Sequence, residues 1–159
     1  VRAGDFDELA FLGAIATSGA RALLIGRRAL VILGLPVLTA DYDFWLAADD
    51  ILAFNEAVAG FGLHPSKEPG EARRTGRYVL ENDEHVDVLV AAAVTAKTGE
   101  VVRFEDVWTR RQEVALAGGQ ACVRLPSIDD LILTKKFALR PRDLEDIRLL
   151  EALKAGGWE

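Results

Sequence analysis

The sequence predicts an α+β fold: a mixed or antiparallel sheet packed against helices, closed by a helical C-terminal segment. Three observations carry this. The apolar spacing runs in the order helix, strand, helix, several strands, helices, which is not the regular alternation of a doubly wound sheet. Half of the 159 residues are hydrophobic, enough for a buried core in what the length predicts as one domain over 1–159. Beyond Ser127 strand-type alternation stops and helix start and stop signals take over, to about residue 154.

In chain order, Phe6, Leu9, Ala10 and Ala14 stand at helical spacing and predict a helix over 6–17. Residues 22–25 read as a short strand entering Gly26, and 28–33 as a short helix ending at Gly34 and Pro36. Residues 39–46 form the next strand, rich in aromatic residues. Asp49 and Asp50 precede a helix over 51–60, where acidic residues suit a helix start. The stretch 61–76, with its glycines and prolines, reads as loops around one weak strand. Strands follow at 77–80 and 85–90, joined by the polar turn Glu81-Asn82-Asp83-Glu84. In the second of these, His85, Asp87 and Leu89 share one face and Val86, Val88 and Val90 the other. Short strands are expected at 101–104, 114–116 and 120–124. Ser127 with Asp130 is close to a capping box. Pro141 interrupts the helical pattern, and a last helix runs from about 142 to 154.

Composition narrows the function. The net charge is −6 and the pI about 5.0, so no broad basic surface for nucleic acid is expected, although a local basic cluster lies near 135–142. Cys122 is the single cysteine, which rules out an internal disulfide and fits a reducing cytoplasm; in its apolar strand it reads as a small buried hydrophobe. The longest uninterrupted apolar run, 29–38, is too short to cross a bilayer, and a cytoplasmic protein is expected. His64 and His85 lack zinc-ligand spacing. Trp45, Trp108 and Phe104 read as core.

The chemistry concentrates in three places. Asp41 and Asp43, at i and i+2 of a strand, point the same way, and two like charges on one face are tolerable mainly beside a cation. Asp87 lies inside the apolar run VDVLV, where an unpaired carboxylate is costly to bury. Together Asp41, Asp43 and Asp87 form a candidate set for two magnesium ions, with Asp87 also a candidate base. The structural alternative is that Asp41 caps a turn and Asp87 makes an ion pair. Gly26, between a strand and a helix, is a candidate phosphate-binding turn. In KKFALRPRDLED (135–146), Lys135 and Arg140 are candidates to face a triphosphate. Arg142, Asp143 and Asp146 read as helix-capping and surface-pairing residues.

These motifs resemble the small nucleotidyltransferases of the DNA polymerase β superfamily, and within it the bacterial group akin to the AbiEii toxin. The resemblance rests on Gly26, TADYDFWL with Asp41 and Asp43, HVDVLV with Asp87, and the closing LPSIDDLILTKKFALRPRDLEDI. It spans about 20–153. It implies transfer of a nucleoside monophosphate from a nucleoside triphosphate, with Mg2+, to a hydroxyl of RNA, protein or a small molecule. A toxin–antitoxin role with an antitoxin partner is a further implication. Two positions depart from the pattern. Arg27 stands where a second small residue is usual, and either reaches the phosphate or crowds it. Val37 stands where many relatives have arginine. The alternative is therefore a catalytically degenerate binding or regulatory module; a phosphohydrolase using the same carboxylates is a third reading.

Overall fold

The structure, a computed structural model, describes residues 6–156. Helix α1 (Glu8–Thr17) is capped by Asp7, whose carboxylate accepts from the Ala10 amide at 3.0 Å. Strand β1 (Ala22–Ile25) runs straight into α2 (Gly26–Ile32). Strand β2 (Asp41–Leu46) follows, then a 3-10 turn and α3 (Ile51–Ala59).

The stretch 61–76 is more ordered than expected. It holds a two-residue strand, β3 (His64–Pro65), and a helix, α4 (Pro69–Thr75). Pro69 at the first helical position has no amide to leave unbonded, and Gly76 closes the helix at φ 83°. Strands β4 (Arg77–Glu81) and β5 (His85–Leu89) form the expected hairpin. Beyond them come β6 (Ala93–Thr95), β7 (Val101–Arg103), α5 (Phe104–Thr109), β8 (Gln112–Leu116) and β9 (Ala121–Leu125). Strand β6 and helix α5 were not legible in the sequence. The C-terminal part is α6 (Ile128–Lys135) and α7 (Pro141–Lys154). Ser127 caps α6 by accepting from the Asp130 amide at 3.1 Å.

The main sheet has the order β1-β2-β5-β4-β3; β2 and β5 are parallel and the other neighbours antiparallel, so the sheet is mixed. Strands β6–β7 and β8–β9 form two separate antiparallel pairs. Alternation sorts the sheet's two faces. Leu24, Tyr42, Phe44, Val86, Val88 and Leu80 enter the larger core, with Phe11 and Leu12 of α1 and Phe54 and Val58 of α3. On the opposite face Leu23 and Trp45 pack with Phe104 and Val107 of α5. This second cluster covers only one end of that face. The other end, bearing Ile25, Asp43 and Asp87, opens into clefts.

Candidate active site

Strand pairing brings the carboxylates together. The parallel register sets Asp43 opposite Asp87 and Asp41 opposite His85. Partners in register point to the same side, so Asp41, Asp43 and Asp87 share one face. All three line one cleft of about 240 Å3, with Gly26, Lys135 and Arg140 also in its wall.

Gly26 has a specific reason to be glycine. Its φ is 72°, and a Cβ built there would lie 2.4 Å from Asp43 Oδ2 and 3.0 Å from Asp43 Cβ. The Asp43 side chain occupies the space any other residue would need. The β1–α2 junction and the carboxylate are thus packed against each other.

The site is charged against itself. Burial first, and then the Asp87 and Asp41 carboxylates, push the Asp43 carboxyl up to about 6 against the pull of Lys135 and Arg140. Among the described residues, no side chain bonds to the carboxylates of Asp41 or Asp43. Thr39, not Asp41, caps the local turn, its hydroxyl accepting from the Asp41 amide at 3.1 Å. Among the described residues, Asp87 has one side-chain partner, His85 Nε2 at 3.2 Å. The other ring nitrogen of His85 lies 2.7 Å from Glu81 Oε2, and that bond, opposed by slight burial and helped by Asp87, raises the imidazole's pKa.

Among the described residues, no group of three or more His, Cys, Asp or Glu side chains is arranged to hold a metal ion by itself. The donor chemistry nevertheless fits magnesium. That ion takes hard oxygen ligands and is usually held by one or two carboxylates plus substrate phosphates, not by an all-protein cage. Asp41 and Asp43 supply two such carboxylates without a competing partner.

Behind the cleft lies a buried charge network. Lys135 Nζ donates to Asp146 Oδ2 at 2.8 Å and lies 4.0 Å from Asp143 Oδ1. Arg27 donates to the same Asp146 carboxylate through Nε and Nη2, both at 3.2 Å. Asp146 is 0% exposed and Lys135 7%. This corrects the surface-pairing reading of Asp143 and Asp146: both are buried, and Asp146 joins α2, α6 and α7. Asp143 does cap α7, accepting from the Arg140 amide at 2.8 Å. Burial pushes its carboxyl up, but the bonds from Arg140 outweigh this and hold it below the ordinary value.

The structure therefore distributes the expected site residues unevenly. Asp41, Asp43, Asp87, Gly26, Lys135 and Arg140 meet at one cleft. Arg27 is committed to Asp146 and lines a different cleft, of about 550 Å3, with Val37. Arg142 also reaches the carboxylate cleft. Cys122 is half-exposed and not a buried hydrophobe. The positive φ of Leu139, 51°, marks the tight turn between α6 and α7 that delivers Arg140 to the cleft rim. The sequence places His85 on the face of Asp87, and the structure adds the contact between the two side chains. Their i, i+2 spacing on one strand face was the available signal.

The comparisons with known proteins show the fold. No family model matches the chain, and no curated protein sequence matches it. Among solved structures, the antibiotic-resistance factor ANT(2'')-Ia in solution aligns with a TM-score of 0.63 and 18% identity, over 93% of this chain and 83% of that one. ANT(2'')-Ia in complex with adenylyl-2''-tobramycin aligns with a TM-score of 0.60 and 19% identity, over 89% and 83%. A Thermotoga maritima protein assigned as a nucleotidyltransferase aligns with a TM-score of 0.59 and 13% identity, over 87% and 86%. The chain thus has a nucleotidyltransferase fold. No helix among the described residues is long and apolar enough to cross a membrane.

Proposed function

We propose that this protein is a magnesium-dependent nucleotidyltransferase that moves a nucleoside monophosphate from a nucleoside triphosphate to an acceptor hydroxyl. The observation that carries the proposal is the in-register pairing of Asp43 with Asp87, two residues beyond Asp41 and packed against Gly26. Such a row of carboxylates, with Asp41 and Asp43 free of side-chain partners among the described residues, beside Lys135 and Arg140, has a chemical use where a cation and a polyphosphate meet.

In this reading Asp41 and Asp43 hold magnesium, and Asp87 completes the set or acts as base. Magnesium bound there supplies charge neutralisation at the phosphate oxygens. The triphosphate lies in the cleft beside Gly26, with Arg140 at the rim facing the departing pyrophosphate. The acceptor oxygen forms a bond to the α-phosphorus, the bond from that phosphorus to the bridging oxygen breaks, and pyrophosphate leaves. The hydroxyl proton passes to an Asp87 oxygen. Lys135, already bonded to Asp146, lends its field to Asp43. Arg27 acts indirectly, by holding the Asp146 carboxylate that orients Lys135.

Membership of the AbiEii-like group, with a toxin role and an antitoxin partner, belongs to the same proposal and rests on the two motif blocks alone. The test is incubation with Mg2+, each α-labelled nucleoside triphosphate, total RNA and cell extract. Label is expected on a discrete acceptor with wild type and not with Asp43→Asn. Equal labelling by both proteins would refute the assignment.

A further inference from the structure

A second cleft, of about 430 Å3, shares Asp43, Asp87 and Arg140 with the first. Its far wall carries Ser66, Lys67 and Arg77. The shared carboxylates therefore stand between two compartments, one beside Gly26 and one beside β4. A transfer reaction needs two substrates on either side of the reacting phosphorus, in line with each other.

The charges of the second compartment are distinctive. Strand β4 places Val79 opposite Asp87 and Arg77 opposite Leu89, so Arg77 shares the face of the carboxylates. Arg77 is exposed, and among the described residues no carboxylate pairs with it. Lys67 Nζ donates to Thr75 Oγ1 and to the Arg77 carbonyl oxygen, both at 2.9 Å. Those acceptors are neutral, so the ammonium charge is fixed in place but not balanced. The cations that act on Asp43 are Lys135 and Arg140, not these two. A guanidinium and an ammonium held beside a reacting site without acidic partners suit an anionic oxygen group.

We propose that the second compartment receives the acceptor, and that the acceptor carries a phosphate close to its reacting hydroxyl, bound by Arg77 and Lys67. This rests on the nucleotidyltransferase reading for the role of the shared carboxylates. A terminal phosphodiester of RNA and a small phosphorylated alcohol both present that chemistry. A polycationic acceptor such as tobramycin does not, because its ammonium groups would face Arg77 and Lys67.

The test is calorimetric titration of the whole chain with four probes: the RNA dinucleotide UpU, glycerol 3-phosphate, tobramycin, and Mg2+ with a non-hydrolysable triphosphate. At least one phosphate probe is expected to bind more tightly than tobramycin. Arg77→Ala should weaken it about tenfold, the scale of one charge-assisted bond at a partly exposed site, and by more than it weakens the triphosphate. Arg77→Glu should reverse the preference toward tobramycin. Tighter UpU points to a nucleic-acid end, and tighter glycerol 3-phosphate to a small acceptor. Tobramycin preferred by wild type, or phosphate-probe affinity indifferent to Arg77→Ala and Arg77→Glu, overturns the inference. Failure of the triphosphate to bind while the phosphate probe keeps its Arg77 dependence would refute the nucleotidyltransferase reading and leave the compartment's anion preference standing.

Discussion

Asp43 on β2 and Asp87 on β5 are direct partners across a parallel strand pair, and a side chain at Gly26 would strike Asp43. Two carboxylates in this relationship work against folding unless something compensates them. The compensation visible in the protein is partial: Lys135 and Arg140 act on Asp43, and His85 on Asp87. The remaining imbalance is what a cation bound at the proposed site would relieve.

The first prediction concerns Asp43→Asn and pH. The Asp43 carboxyl rises from 3.8 to about 6 on folding. A raised carboxyl means that the folded state holds the proton more tightly, so stability falls as pH rises from about 4 to about 6 and stays lowered above that. Asp43→Asn removes the penalty. Without metal, the variant should melt at a higher temperature than wild type at pH 7.5, with the gap closing as pH falls below about 6. Thermal melts in chelator at several pH values check this; a lower melting temperature for the variant at pH 7.5 would contradict it.

Asp146 should be a stability residue of the first rank. Asp146→Ala leaves Lys135 buried without its carboxylate and releases Arg27. Breaking a buried pair from one side costs about 3–5 kcal/mol. Urea denaturation should show a loss on that scale, whereas a surface pair would lose less than about 1 kcal/mol.

Arg27→Ser should act through the same network. It removes two bonds to Asp146 but leaves the Lys135 bond, so a loss of about 1–2 kcal/mol is expected. Its effect on triphosphate affinity should be small, because Arg27 lines the other cleft. Denaturation and calorimetry on one preparation measure both quantities. A large change in affinity with unchanged stability would place the guanidinium on the phosphates instead.

Gly26→Ala should destabilise the protein by more than about 1 kcal/mol, since alanine is strained at φ 72° and its Cβ meets Asp43. The Asp43 carboxylate can turn aside, but its Cβ, 3.0 Å from the added methyl, is fixed by the strand. A variant as stable as wild type would mean that the β1–α2 junction is looser than described.

Much of the site was legible because strand parity is a local property. Asp41, Asp43 and Asp87 needed only their spacing and the apolar neighbours of Asp87 to be read as one set. What joined them, the parallel β2–β5 register, is a long-range pairing that alternation does not encode. The same holds for Asp146: it stands in the charge-rich run RDLEDIR, and its burial arises from the meeting of three helices. Helix α4 is bracketed by Pro69 and Gly76, residues that by composition signal a loop and only by position signal a helix start and stop. The second compartment drew on Ser66 and Lys67 from a loop and Arg77 from a strand, and no motif links these residues.

Whether Asp43 holds magnesium for a nucleoside triphosphate is measured by calorimetric titration of wild type and Asp43→Asn with non-hydrolysable analogues of the four nucleoside triphosphates, with Mg2+ and with chelator. Binding to wild type should require Mg2+ and weaken at least about tenfold in Asp43→Asn, the scale of one lost charged ligand. Equal affinity with and without Mg2+, or equal affinity in the two proteins, would contradict it.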